Sequence, residues 1–286
     1  MEIDINTYNL KNDGIIMKRK LSILVLSLVA VFGAESAKAW TNYAHGTAAY
    51  IAEQHLTPEA REKCHYYLKH TLPYYASWMD AYRGAKAFYH VNRAHTGKTT
   101  ADGKEYDFVS GKPAGGVMGH LVNALEELKD GRYKNLPDSV VRQRIINMAH
   151  YIPDMHCPVH INFSPSVHPS QKDMQLHKNG KPVSYHGYWD SSFGYDGRIN
   201  WKYEKMSAKI DVLSEEQIKE LQRGTLEEWG RDIIRLGNRA REILPQGTNI
   251  SEMSQEQKDE VFKLSSEAVL LGGYRLAHIL NTIFAE

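Results

Sequence analysis

The run His150 to His160, HYIPDMHCPVH, puts three histidines and an aspartate within eleven residues. Its candidate partners lie far away in sequence: Trp40, His45, Asp80 and His90 before it, His186 and Asp190 after it. A chain that uses these residues together must fold back repeatedly onto one segment. His150 and Asp154 are four apart, so a helix sets them on one face. Pro153 removes a backbone donor and disfavours helical angles at residue 152, so Asp154 is expected on a distorted last turn. His160 lies beyond Pro158 and must reach back from a loop. His186 and Asp190 repeat the four-residue spacing.

Neutral imidazole and carboxylate are ligands suited to zinc. One H-x-x-x-D pair is an ordinary helix-surface pair or a core histidine. Two such pairs with a nearby extra histidine are a stronger pattern. Nine candidates exceed the needs of one tetrahedral ion and suit several ions sharing a carboxylate.

Helical periodicity runs through the rest. Thr41–Leu56 carries Ala48, Ile51 and Ala52 at helical spacing, and Thr57-Pro58 starts a second helix to about Lys69. An aromatic stretch from Leu72 ends in Asp80, and Lys86–Asn92 reads as a short extended piece or a helix start. Helices follow at Gly115–Lys129, from Asp138 as cap, from Ser214, over Thr225–Ile243 and over Ser254–Phe284. His95–Lys112 and Asn162–Tyr185 read as polar loops, and no period-two strand pattern persists. The fold class is all-α, a single helical domain over residues 40–286.

Residues 1–39 are set apart. Lys18-Arg19-Lys20, the apolar run Leu21–Gly33 and Ala37-Lys38-Ala39 read as a secretory signal cut after Ala39, behind a short extension. The apolar run is too short for a membrane span, which needs about 20 residues. Cleavage removes five of the 35 basic and four of the 34 acidic residues, leaving equal numbers. That balance argues against a salt-driven grip on nucleic-acid backbone. It leaves room for a hydrolase whose positive field comes from metal ions. Cys64 and Cys157, the only cysteines, allow one disulfide in an exported protein or two buried thiols.

Taken in order, these residues resemble the zinc-dependent S1/P1 nuclease family over nearly the whole chain after residue 39. The matching pieces are Trp40 with His45; Asp80 in Ser77-Trp78-Met79-Asp80; His90 in Tyr89-His90-Val91-Asn92; His150-x-x-x-Asp154-x-His156-x-Pro158-x-His160; and His186-x-x-x-Asp190. The resemblance implies a mainly helical domain of the phospholipase C/P1 nuclease type holding three zinc ions. One ion would take Asp80, His90, His150 and Asp154. A second would take His160, His186 and Asp190. The third would take the free amine and carbonyl of Trp40 with His45 and Asp154, which thus bridges. It further implies a secreted or periplasmic monomer that cuts single-stranded DNA and RNA to 5′-phosphorylated nucleotides, with 3′-nucleotidase activity.

The catalytic candidates are Asp154, Asp80 and Asn92, the last placed to orient water or phosphate, though a plain turn hydrogen bond is its simpler reading. His156 fits the motif without being a family ligand and is expected to support its neighbours. The chain departs from the family at Pro153, where glycine is common. It departs again at Val91 and Arg93, where the fungal enzymes carry a base-stacking aromatic and an acid. Tyr74, Tyr75, Tyr185 and Tyr188 are alternative stacking faces. Two other functions are compatible with the pattern: a zinc phospholipase C, whose last carboxylate is Glu where this chain has Asp190, and an exported zinc-binding protein without catalysis.

Overall fold

The protein is organised around its last helix. In the computed structural model, which describes residues 40–83, 95–170, 173–193 and 202–285, that helix spans Gln255–Phe284 (α11). Ser254 caps it: its hydroxyl accepts from the Gln257 amide while the Gln257 side chain accepts from the Ser254 amide, satisfying two end donors at once. Against α11 pack the first helix, α1 (Asn42–Gln54), and the helix carrying the histidine-rich run, α6 (Asp138–His156).

Two glycines set that three-helix junction. A Cβ on Gly273 would lie 2.8 Å from Ile51 Cγ2 and 2.9 Å from the Ala48 carbonyl oxygen. One on Gly272 would lie 3.0 Å from Pro153 Cα. Only hydrogen at both positions lets α1 and α6 seat on α11 at this depth. His45 sits one turn from Ala48, and Asp154 follows Pro153, so the same close approach draws two candidate site residues together.

The remaining helices are α2 (Pro58–Leu68), α3 (Leu72–Tyr75), α4 (Trp78–Ala81), α5 (Gly116–Leu128), α7 (Tyr185–Ser192), α8 (Tyr203–Ile210), α9 (Glu215–Gln222) and α10 (Leu226–Ile243). The mainly helical fold is as the sequence implies, and the described residues lie in one compact unit, Ala39–Glu286. Among them no helix is long and apolar enough to cross a membrane.

The structure corrects several readings. Strands do occur: β1 (Gly97–Lys98) pairs in parallel with β4 (Ile161–Asn162), β2 (Phe108–Val109) with β3 (Lys112–Pro113), and β5 (Gln175–Lys178) with β6 (Lys181–Ser184). Asn179 and Gly180, both at positive φ, make the tight turn of the β5–β6 hairpin. α6 runs through Pro153 to His156, so Asp154 lies in its last turn, as expected. Pro137 takes the cap place, and Asp138 sits just inside as a first-turn acid facing the positive end of the helix dipole. Cys64 and Cys157 are buried free thiols belonging to different apolar clusters. Residues 1–39, read above as a secretory signal behind an extension, the Lys86–Asn92 segment, His90, Val91, Asn92 and Arg93 lie outside the described residues.

Candidate metal centre

Asp154 is the hub. It is fully buried near the C-terminal end of α6, and each carboxylate oxygen faces two imidazoles. Oδ2 lies 2.5 Å from His95 Nδ1 and 3.2 Å from His150 Nε2. Oδ1 lies 3.2 Å from both His45 Nε2 and His160 Nδ1. His150 is one helical turn before Asp154, as its spacing predicts, and its Nδ1–H donates to the Ala76 carbonyl at 2.6 Å. That fixes the tautomer and turns the Nε2 lone pair toward the cluster.

His45 comes in on α1, which Thr41 caps through the Ala44 amide. Its ring stacks on that of His150 at 4.1 Å and 15°. Asp80, on α4, lies 3.9 Å from both: Oδ2 to His45 Nε2, Oδ1 to His150 Nε2. Arg83 also donates to Asp80 Oδ1 at 2.8 Å.

A second group adjoins the first through His160, whose Nε2 is 3.2 Å from Asp190 Oδ1. His186 and Asp190 share one face of α7, Nε2 to Oδ2 at 3.0 Å. Trp40 is buried beside them: the Thr41 amide donates to the Asp190 carbonyl at 3.2 Å, and the indole meets the His45 ring edge-on. The structure therefore draws together every candidate metal ligand among the described residues.

Sequence reasoning missed two neighbours. His95 was assigned to a surface loop but is buried against Asp154 and His150. A single histidine heading a Thr- and Gly-rich stretch offers no spacing signal. Cys157 lacks ligand spacing, yet its thiol lies 3.6 Å from Asp190 Oδ1, within the His160–Asp190 group. Burial pushes that thiol up to about 11, against the pull of His160.

The donor atoms are spaced as a metal would require. Tetrahedral zinc with bonds of about 2.0–2.1 Å separates its ligand atoms by about 3.3 Å. Most contacts in both groups fall at 3.0–3.2 Å. Both ring nitrogens of His45, Asp80 Oδ2, Asp154 Oδ1, His160 Nδ1 and Asp190 Oδ2 are buried without a hydrogen bond. Each such atom costs about 1–3 kcal/mol if left unsatisfied, and cations placed among them relieve that cost together.

The charges agree. Burial alone would raise Asp154, but His160, His150, His95 and His45 hold its carboxyl well below the usual range. Asp190, also raised by burial, is brought down to about 2 by the His160 and His186 imidazoles beside it. Burial lowers His45, with His150 adding to the effect, which keeps it a neutral donor. His156 faces away: Nδ1–H donates to the Ile152 carbonyl and Nε2 accepts from Arg275. Burial and the Arg275 guanidinium push it down to about 3. It supports α6 without reaching the cluster.

Of the suggested stacking tyrosines, Tyr185 is wholly buried, the Tyr188 hydroxyl donates to Met253 Sδ, and Tyr75 donates to the Leu68 carbonyl. Tyr74 alone of the four is broadly exposed, its ring stacked on His70 at 4.1 Å.

The family model for S1/P1 nuclease matches residues 40–285. The chain belongs to the S1/P1 nuclease family. No curated protein matches it. S1/P1 nucleases are zinc-dependent hydrolases of nucleic acid, and this member carries three groups of buried or partly buried histidine, aspartate and cysteine side chains close enough to hold metal ions. The matched span begins at Trp40, the residue that starts α1's approach to Asp190.

Proposed function

We propose that the protein is an exported, monomeric, zinc-dependent phosphodiesterase. In this reading it cuts single-stranded DNA and RNA to 5′-phosphorylated nucleotides and removes phosphate from 3′-nucleotides. The observation that carries the proposal is Asp154, a buried carboxylate whose two oxygens each face two imidazoles at 2.5–3.2 Å. One carboxylate so placed can serve two ions.

Bound at these donors, zinc polarises the phosphoryl group and supplies a nucleophilic water at neutral pH. The chain's own residues set the geometry. Asp154 holds the His45 side and the His150 side at a fixed separation. Asp80 spans the same two imidazoles from α4. His160, His186 and Asp190 form a separate set, of which the His186 side chain is the most exposed, 28% against 1% and 4%. Substrate would therefore approach from the α7 side. Three ions suit the donor count once Trp40, freed by cleavage after Ala39, adds its terminal amine and carbonyl beside His45 and Asp154.

The substrate surface has two further supports. Arg83, ion-paired with Asp80 and partly exposed, is a cation able to meet phosphate at the rim. A cavity of about 600 Å³ lies beside α1, lined by Tyr43, Tyr74, Ser77, Lys202 and Tyr203 among others. Ser77 is three residues from Asp80, and aromatic faces beside a cation suit a base and its phosphate.

The test is metal analysis and N-terminal sequencing of protein purified after expression of the full chain. It is coupled to assays on single-stranded DNA, RNA, a 3′-nucleotide and phosphatidylcholine. The expected result is zinc, a Trp40 start, and turnover of the first three substrates. Hydrolysis of phosphatidylcholine alone would make the protein a lipid phosphodiesterase; zinc without turnover of any substrate would make it a binding protein. One residue added before Trp40 should remove most activity.

A further inference from the structure

We propose that His95 is itself a metal ligand, bonding through Nδ1 to the ion held by His150 Nε2 and Asp154 Oδ2. The inference rests on the metal-centre reading above and adds to it a residue that neither the sequence motif nor the family resemblance assigns. Three donor atoms meet here: His95 Nδ1 and His150 Nε2 are 3.1 Å apart, and Asp154 Oδ2 is 2.5 Å from the first and 3.2 Å from the second. Because His150 spends its Nδ1 proton on Ala76, the neutral ring, the form a metal binds, turns a lone pair on Nε2 toward His95. His95 Nδ1 thus faces two electron-pair donors at once. A single N–H can satisfy one of them; a cation satisfies all three.

The backbone holds His95 in that position. The Gly97 amide donates to the His160 carbonyl at 2.9 Å, and Thr99 donates to the Asn162 carbonyl at 3.0 Å, so β1 is laced to the strand that directly follows a ligand. The Val117 amide, at the start of α5, donates to the Thr96 carbonyl at 3.2 Å, and Asn162 Nδ2 donates to Thr96 Oγ1 at 3.0 Å. Gly97 is required for this path, since a Cβ there would overlap the Tyr106 hydroxyl at 1.6 Å. The His95 ring then packs edge-on to both His150 and Tyr151. A ring clamped through its neighbours' backbone to two separate elements is preorganised for ligation.

The rival role is a hydrogen bond from Nδ1–H to Asp154, positioning the carboxylate without touching metal. Asparagine separates the two, because its amide nitrogen can take the place of Nδ1 and keep the donor while offering no imidazole. H95N and H95A are expressed from the full chain, purified, and compared with the unaltered protein. The readouts are bound zinc after dialysis, the visible spectrum of the cobalt(II)-substituted form, and circular dichroism for the fold. Ligation predicts that both variants lose roughly one zinc equivalent and that H95N shows altered cobalt bands. If H95A does not fold, H95N decides. A folded H95N with the unaltered zinc content and cobalt spectrum overturns ligation by His95 and leaves the metal centre standing. If the unaltered protein binds no zinc, the metal centre itself falls, and this inference with it.

Discussion

The chain uses the same four-residue spacing twice, with different support. His150 and Asp154 sit on a 19-residue helix, buried to 0% exposure, wedged between α1 and α11. His186 and Asp190 sit on an eight-residue helix after a hairpin, and the His186 side chain is 28% exposed. The first pair is part of the core. The second forms a more open wall. A metal centre that must both hold ions firmly and admit a polymer needs each kind. The motif gives ligand order; burial and helix length decide which pair is sealed in the core and which stands open.

The sharpest test of that contrast is to remove the hub on each side. D154N takes away the carboxylate shared by four imidazoles and should empty the ions it bridges. Activity should fall roughly a thousandfold or more, the several kcal/mol a Lewis-acid centre contributes at tenfold per 1.4 kcal/mol. D190N should remove roughly one zinc equivalent and leave the α6 side loaded. Zinc analysis and nuclease assays on both variants check this. Equal metal loss from the two would mean that the pairs are not distinct sites.

A backbone test acts on the α6 side alone. G273A drives a Cβ to within 2.9 Å of the Ala48 carbonyl oxygen and 2.8 Å of Ile51, so α1 must move away from α11. Overpacking of this kind costs about 1–3 kcal/mol. The same shift should carry His45 off Asp154 and weaken zinc binding. G247A, at a turn with open space but positive φ, is the control: it should lower stability and spare the zinc content. Urea unfolding and metal titration separate the two effects.

How much of this was legible follows from the same contrast. Both ligand pairs, and the caps at Ser214, Thr225 and Ser254, were readable because helical spacing and capping chemistry are local. Pro153 correctly marked the last turn, but not the close seat of that turn on Gly272, where a Cβ would lie 3.0 Å from the Pro153 Cα, a contact 119 residues away in sequence. The β5–β6 hairpin was missed although Asn179-Gly180 is a strong turn signal, because the polar flanks hid the alternation. His95 was beyond reach, since its burial depends on β1 pairing with β4 and on Gly97 admitting Tyr106.

Protonation offers a further probe of how α6 is anchored. His156 is neutral in the folded protein, pushed down to about 3 by burial and then by Arg275, whereas the unfolded chain binds its proton near 6.5. Between those values the unfolded state holds more protons. Stability is therefore full above about 6.5 and declines as pH falls toward 3, by up to about 1.4 kcal/mol per pH unit from this group. H156Q keeps a polar side chain that does not titrate. It should flatten the acid slope of metal-free protein unfolded in urea at pH 7, 6 and 5. An unchanged slope would mean that the Arg275 contact does not hold His156 neutral.

The smallest expected effect lies on the α7 side and tests whether the open wall is as lightly held as its length suggests. Ser184 Oγ accepts from the Gly187 amide at 3.1 Å and caps a helix whose first residue, Tyr185, is buried. S184A should cost about 1 kcal/mol. In a helix of eight residues that loss falls directly on the presentation of His186, which lies two residues inside. Zinc held with Asp190 should exchange faster in S184A, measured by chelator competition, while the ions on Asp154 keep their unaltered rate. The matching cap change on α1, T41A, removes a longer bond, 3.4 Å to the Ala44 amide, from a helix already packed along α11. It should move exchange less, since His45 lies a full turn from Thr41 whereas His186 lies within the first turn after Ser184. If T41A loosened zinc more than S184A, helix burial would not be what separates the anchored pair from the open one.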